Sequence, residues 1–293
     1  VSTHTATLQH VLAAACSRVG LDPAGAEPIR LGENAIFRLP ARVVVRIARP
    51  GQLAAASKEV RIARWFAEHA ISAVRALDGV EQPVEVDGRP VTFWEELPPH
   101  RHGTVVEIAD VLRRLHDLPI LTGLLEPLDP FVRLAERIDA GTTLTVDDRA
   151  WLHARLGTLR EQYRTLPPGL PSTVVHGDAW GGNIVATDGG RTVLLDLERC
   201  SIGPPEWDLV SIAIRRTSFT WLLEHDYRDF CHRYGRDVAT WSGYGLLRDI
   251  RELRMTLYRV QRAAESLTEH AEAEYRVACL RGLRGPRPWR WGR

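Results

Sequence analysis

The order of elements along the chain predicts an α+β protein of two lobes, a small β-rich N-terminal lobe and a larger, mainly helical C-terminal one. Three observations carry this. Short apolar runs separated by turn residues crowd the first hundred residues. Helical periodicity dominates after position 104. Between them, Pro98-Pro99-His100-Arg101-His102-Gly103 breaks both patterns. The 293 residues are enough for two lobes and a substantial core. The expected division is an N-lobe over 1–97, a linker over 98–103 and a C-lobe over 104–281. The Arg-, Gly- and Trp-rich residues 282–293 lack periodicity and read as a mobile tail.

Each element has its own signal. Val11 to Cys16 reads as an amphipathic helix with Thr5 or Thr7 as cap and Gly20 as stop. The run is too short for a signal h-region and follows no basic segment. Ile29 to Leu39 and Ala41 to Ala48 read as strands around Pro40. Leu53 to His69 reads as a helix with Val60, Ala63 and Phe66 inward. Asp87-Gly88, between Val84–Val86 and Val91–Leu97, is a hairpin turn. Past the linker, Val105 to Leu118 is helical, with Val105, Ile108, Val111, Leu112 and Leu115 on one face. Further helices lie over Phe131 to Leu166. Val174-Val175 is a strand. Ile184–Ala186 and Thr192–Leu195 form a hairpin around Asp188-Gly189-Gly190, and Trp207 to about Arg281 is helical.

Hydrophobic content of 44% and charged content of 26% place the chain among globular proteins. A net charge of +1 supplies no field for nucleic acid or a membrane surface. No apolar run reaches the roughly 20 residues of a bilayer span. The 4 cysteines are scattered without a C-x-x-C, which points to reduced thiols and a cytoplasmic setting. The 11 histidines show no ligand spacing, and His100 and His102 read as solvated. Lys58 is the sole lysine. A monomer or a dimer is expected.

The most informative stretch is Val174-Val175-His176-Gly177-Asp178-Ala179-Trp180-Gly181-Gly182-Asn183-Ile184-Val185, followed by Leu194-Leu195-Asp196. It orders an acid on a loop, an amide five positions later, and a second acid ending the next apolar run. Phosphoryl transfer from a nucleotide needs these groups: one carboxylate orients and deprotonates a hydroxyl, while an amide oxygen and another carboxylate hold Mg²⁺ against the triphosphate. The hairpin would bring Asn183 and Asp196 to one end.

The pattern H-G-D-x-x-x-x-N resembles the kinase catalytic loop, with Gly177 where protein kinases carry Arg. The Gly form is similar to the aminoglycoside phosphotransferase family, small-molecule kinases of the protein-kinase-like fold. That resemblance implies Asp178 as catalytic base, Asn183 and Asp196 as Mg²⁺ ligands, ATP or GTP as donor, and a small-molecule hydroxyl as acceptor. Leu112 to Leu118 resembles the helix that these kinases bury beneath the catalytic loop. Ile202-Gly203-Pro204-Pro205-Glu206-Trp207-Asp208-Leu209 resembles the family's G-P-x-x-x-D-L segment, with Asp208 as a brace for the loop.

The nucleotide side departs from the pattern. Period-two alternation in Val43-Val44-Val45-Arg46-Ile47 puts Val44, Arg46 and Ala48 on one face. This resembles V-A-I-K with Arg46 in the lysine position, although Arg46 also fits a solvated end of an edge strand. Lys58 is the other candidate cation. Neighbours on a helix point about 100° apart, and Glu59 shares a side with Ala63 and Phe66. The assignment is therefore Glu59 as the orienting acid and Arg46 as its partner. The loop from Leu31 to Phe37, with Gly32, Glu33 and Asn34, lies where a phosphate loop belongs but has a single Gly. Backbone of Glu95, Glu96 and Leu97 is expected to meet the base edge.

Three residues are candidates for the acceptor side. Glu198 is open to contact with metal, phosphate or substrate, and equally to solvent. Trp180 suits stacking on a substrate ring or packing against the lobe, and Trp207 is a nearby aromatic. From Leu197 to Leu280 about thirteen acids face about twelve arginines, a balance that suits a weakly charged acceptor better than a polycation. The expected acceptor is an antibiotic of nucleoside, sugar or aminoglycoside type. The alternatives are a metabolite kinase for a sugar or amino alcohol, and a nucleotide-binding pseudokinase. About a dozen residues between Asp196 and Asp208 are too few for the peptide-docking segment of a protein kinase.

Overall fold

The structure, a computed structural model, describes residues 2–32, 34–120 and 123–292, with side chains from Ala6 onward. In chain order the elements are α1 (Ser2–Val19), β1 (Glu27–Leu31), β2 (Ala35–Leu39), β3 (Val43–Ile47), α2 (Leu53–Glu68), β4 (Val84–Val86), β5 (Arg89–Glu95) and β6 (His100–His102). Then follow α3 (Val105–His116), α4 (Leu134–Asp139), α5 (Val146–Tyr163), β7 (Thr173–Val175), β8 (Ile184–Thr187), β9 (Thr192–Leu194) and β10 (Ser201–Gly203). The last elements are α6 (Glu206–Thr217), α7 (Glu224–Tyr234), α8 (Tyr244–Arg262) and α9 (Leu267–Leu280). This is the expected α+β order, an antiparallel sheet followed by a mainly helical region. Among the described residues no helix is long and apolar enough to cross a membrane.

The chain divides into two compact units. One holds residues 1–107, 121–125 and 181–200; the other holds 108–120, 126–180 and 201–293. The division does not fall at the expected linker over 98–103. β6, inside that segment, pairs with β8, which pairs with β9. Val74 N–H donates to Leu194 O and Leu194 N–H to Ser72 O, both at 2.9 Å. These ladders tie residues 181–200 to the first unit.

In the first unit a five-stranded antiparallel sheet runs in the order β1-β2-β3-β5-β4. Alternation buries Phe37, Leu39, Val43, Val45, Ile47, Val91 and Phe93. They form one core with Leu8, Val11, Leu12, Ala15 and Cys16 of α1, a stripe at helical spacing. The other set of β3 side chains includes Val44 and Arg46, paired with Trp94 and Thr92 of β5. α2 packs against β5 and buries Glu59, Ala63 and Phe66. Asp87 and Gly88 both take positive φ, as a two-residue hairpin turn of this twist requires. α1 starts at Ser2, so Thr5 and Thr7 lie inside it rather than capping it. Its end is as expected: Gly20 has φ +73°, and Leu21 N–H reaches Cys16 O at 3.0 Å.

The second unit is built around α8, which packs against α4, α5, α6 and α9. Leu247, Ile250, Leu253 and Leu257 of α8 and Leu209, Val210 and Ile214 of α6 are buried. The tail after Gly282 is anchored, contrary to the expectation of mobility. Trp289 and Trp291 are 5% and 3% exposed. Trp289 N–H donates to Ser218 O at 2.8 Å, and Trp291 lies 4.6 Å from the Phe219 ring. Arg287 binds Glu252 and Asp249 of α8. Indoles and guanidiniums bury area and pair charges without any period, so a pattern search cannot see this anchor.

Candidate active site

Arg46 is the hub of a polar cluster in the first unit. Its Nη1 donates to Glu59 Oε2 at 2.6 Å and its Nη2 to Glu198 Oε2 at 3.4 Å. The Asn34 amide lies against the same guanidinium. With its oxygen turned toward the cation, it accepts from Nε at 3.0 Å and from Nη2 at 2.8 Å. A planar five-donor fork reaches three acceptors on three elements, which an ammonium could not do in a fixed geometry. Burial alone would lower the Arg46 pKa, but the charges of Glu59, Asp196 and Glu198 outweigh it and hold the pKa above its usual value. Burial pushes the Glu59 carboxyl up to about 7; Arg46 pulls it down, and Asp196 and Glu198 add to the rise. The Arg46 direction follows from one cation serving three carboxylates; the Glu59 direction follows first from burial, which a shared cation does not offset.

Asn183 and Asp196 close the end of the β8–β9 hairpin. Ile184 stands opposite Leu194, and Leu195 N–H donates to Asn183 O at 2.8 Å. Asp196 has φ 55° and ψ 64°, the left-handed region that Asp tolerates better than most residues. The chain then enters the short 3-10 turn Leu197–Arg199, which carries Glu198 to Arg46. This donor set fits Mg²⁺: hard oxygens beside a surplus of negative charge. Among the described residues no three His, Cys, Asp or Glu side chains converge as a metal cage. An ion here would complete its shell with phosphate oxygens and water.

The catalytic-loop motif lies in the second unit as far as Trp180. β7 and β10 pair antiparallel and deliver His176 to the loop. Asp208, on α6, is fully buried, and its carboxylate caps the loop backbone. Oδ2 accepts from His176 N–H at 2.7 Å and Oδ1 from Gly177 N–H at 2.9 Å. His116, at the end of α3, lies 3.2 Å from Asp208 Oδ2 through Nε2 and 2.7 Å from the Tyr234 hydroxyl through Nδ1. An ionised Asp208 requires the proton on Nε2, so in the neutral ring Tyr234 O–H donates to Nδ1. Burial would raise the Asp208 pKa, but the His116 hydrogen bond and the charges of His116, His176 and Arg251 hold it below the usual aspartate value. Asp178 N–H donates to His176 Nδ1 at 3.3 Å, and the Asp178 side chain is 46% exposed.

Trp207, expected at the acceptor, is instead 1% exposed, and its indole N–H donates to Gly177 O at 3.0 Å. It follows the helix-starting prolines and points into the unit beneath the loop. Trp180, inside the loop, is 41% exposed. On the nucleotide side, Glu95 N–H donates to Arg75 O and Glu96 N–H to Arg42 O, both at 2.9 Å. Two of the three base-edge donors expected from Glu95 to Leu97 are thus engaged within their own unit. Gly32 is exposed and its N–H donates to Asn34 O at 3.2 Å. Glu33 lies outside the described residues. Sequence reasoning missed Arg251, whose guanidinium contacts Asp178, and the Tyr234–His116 relay; their partners are far away along the chain.

Residues 26–247 match the family model described as APH, phosphotransferase enzyme family. No curated protein matches the sequence. Among solved structures the chain is similar to a choline/ethanolamine kinase family protein from Mesorhizobium loti, at 18% identity and TM-score 0.63, covering 96% of this chain and 95% of that one. It is similar to the amicoumacin kinase hAmiN in complex with AMP-PNP, Ca²⁺ and Ami, at 14% identity and TM-score 0.69, covering 93% and 92%. It is also similar to the aminoglycoside phosphotransferase APH(3'')-Id from Streptomyces rimosus, at 21% identity and TM-score 0.60, covering 83% and 97%.

Proposed function

The chain belongs to the phosphotransferase enzyme family, and from that premise and the site we propose that it moves the γ-phosphate of ATP or GTP to a hydroxyl of an antibiotic. It is a small-molecule kinase; the donor base and the acceptor are the proposal. Asp178 receives the acceptor's proton. Asn183 and Asp196 hold Mg²⁺, which when bound neutralises phosphate charge. Arg46, oriented by Glu59, meets the phosphates, with Gly32 and Asn34 in the loop beside it. The observation that carries this reading is the part-buried Arg46 guanidinium paired with both Glu59 and Glu198, with the charge of Asp196 acting on it as well. Such a surplus has little use in an isolated fold and suits a divalent ion with a polyphosphate. Within the Glu95–Leu97 segment the base edge falls to the Leu97 N–H, since those of Glu95 and Glu96 are engaged.

Balanced charge over Leu197 to Leu280 favours a weakly charged nucleoside- or sugar-type compound, with Trp180 as its stacking surface. The likeness to a choline/ethanolamine kinase family protein supports a second reading, a metabolite sugar or amino-alcohol kinase. The test is turnover with Mg-ATP and Mg-GTP against a panel of nucleoside and sugar antibiotics, aminoglycosides, sugars and amino alcohols. Product mass reads the outcome. Phosphorylation of the polyamines alone would sink the acceptor reading, and no transfer to any hydroxyl compound would leave the pseudokinase.

A further inference from the structure

The catalytic loop carries Gly177 at the position where a side-chain cation would precede the acid, and Gly177 has φ +83°, a conformation that strains residues with a Cβ. A cation is nevertheless there. Arg251, on α8 and 5% exposed, lays its guanidinium 4.1 Å above the Trp207 ring. Its Nη2 donates to Gly177 O at 3.1 Å and to Trp207 O at 3.2 Å, and its Nη1 reaches Asp178 Oδ1 at 3.4 Å. The indole N–H of Trp207 donates to the same Gly177 carbonyl, so the head group and its platform grip one point of the loop together.

Burying a guanidinium is costly unless anions and acceptors compensate. Arg251 is compensated only in part. Two carbonyls and Asp178 take Nη1 and Nη2 and Asp208 adds a counter-charge without a direct contact, while its Nε is buried without a partner. Arg233, exposed on the same unit, carries the same charge at no such cost. A placement this expensive, whose charged contact is with a half-exposed aspartate, is better explained by what it does to that aspartate than by stability.

We propose that Arg251 is a positioning residue for catalysis: from α8 it supplies the cation that the Gly177 loop lacks, holding Asp178 Oδ1 and so setting the direction of the carboxylate toward the acceptor hydroxyl. The inference rests on the role proposed above for Asp178. A 3.4 Å contact is long, and such contacts tighten when the reacting hydroxyl arrives. Arg251 transfers no proton itself. Its effect falls on kcat, because it orients a group that acts in the transition state, and not on nucleotide affinity.

The experiment separates charge from hydrogen-bond donation. Arg251→Lys keeps the charge without the planar fork; Arg251→Gln keeps donors for the two carbonyls without the charge. Phosphate release from Mg-ATP with water as acceptor is measured for both and for Asp178→Asn, alongside thermal unfolding. Arg251→Lys is expected to lower kcat about 3–10-fold and Arg251→Gln about 10–100-fold, with KM for Mg-ATP within about twofold of the parent. A purely structural brace predicts the opposite order, or equal losses that follow the unfolding midpoint, and either result overturns the proposal. Should Arg251→Gln fail to fold, Arg251→Lys decides: kcat equal to the parent's overturns it. Full activity in Asp178→Asn removes the catalytic reading of Asp178 and this inference with it. Loss in Asp178→Asn beside normal turnover in both Arg251 variants removes this inference alone.

Discussion

Replacing Asp208 with Ala should loosen the catalytic loop before it disturbs anything else. The carboxylate accepts from His176 N–H at 2.7 Å, Gly177 N–H at 2.9 Å and His116 Nε2 at 3.2 Å. It is fully buried, so water cannot take over. Each orphaned buried donor costs about 1–3 kcal/mol. Relaxation is shared among the three, and Arg251 loses a counter-charge, so the total is about 3–5 kcal/mol. Asp208→Asn keeps one acceptor and turns an NH₂ toward an N–H, for a loss of about 1–3 kcal/mol. The sign with pH follows from the depressed pKa. The carboxylate's contribution is complete above the unfolded value of about 4 and is lost only as pH falls through the lower folded value. The difference between parent and variant is therefore full at pH 7. Urea unfolding at pH 7 measures it, and amide hydrogen exchange at Gly177 locates it. A loss below about 1 kcal/mol with unchanged protection of that amide would refute the bracing argument.

Asp196→Asn should weaken Mg-nucleotide binding and turnover together; unchanged affinity by calorimetry would remove the metal role. Arg46→Ala should cost more activity than Lys58→Ala, and the reverse order in parallel turnover assays would show that the wrong cation was chosen. Glu59 is held at about 7 in the fold against 4.5 outside it, so the folded state keeps a proton that the unfolded chain has released. Apoprotein stability should then fall as pH rises from about 4.5 through about 7, by at most about 3 kcal/mol, and Glu59→Gln should flatten that slope in urea midpoints taken at pH 5 and 8. Truncation after Arg284 should lower the unfolding midpoint, because it exposes Phe219 and leaves Glu252 buried without Arg287; an unchanged midpoint would mean that the tail contributes nothing.

What was legible in the sequence was local. Period-two alternation in β3 placed Arg46 on the face away from the α1 core, and helical spacing turned Glu59 inward; the 2.6 Å pair joins them. Asp87-Gly88 marked its hairpin because positive φ at both positions selects those residues, and Gly190, with φ +76°, marked the other. Contacts over long separations carried no signal. Arg251 meets Asp178 across 73 positions, and Tyr234 meets His116 across 118. Trp207 was misread for a related reason: nearness to the motif in sequence suggested exposure to substrate, but a tryptophan just inside a helix beneath a loop is first a packing surface. The pairing of β8 with β6 was not legible either, since it joins strands far apart along the chain.

Arg46 and Arg251 show why a chain with a single lysine puts arginine at its most demanding charges. Each guanidinium is largely buried and takes acceptors from more than one element: Asn34, Glu59 and Glu198 for one, Gly177, Asp178 and Trp207 for the other. A weakly hydrated planar fork loses less on burial than an ammonium and fixes several partners in direction at once. This bears on the single-glycine loop between β1 and β2. In a glycine-rich phosphate loop, backbone freedom lets the amides approach the nucleotide. Here the Asn34 side chain is anchored to Arg46, so the loop's position is set by the same cation that the proposed mechanism assigns to the phosphates. Phosphate arriving at Arg46 would compete with Asn34 and Glu198 for Nη2, the donor these two share. Under the proposed function, nucleotide binding and loop position are therefore coupled through one nitrogen. The Nη1 bond to buried Glu59 is the fixed end of that exchange.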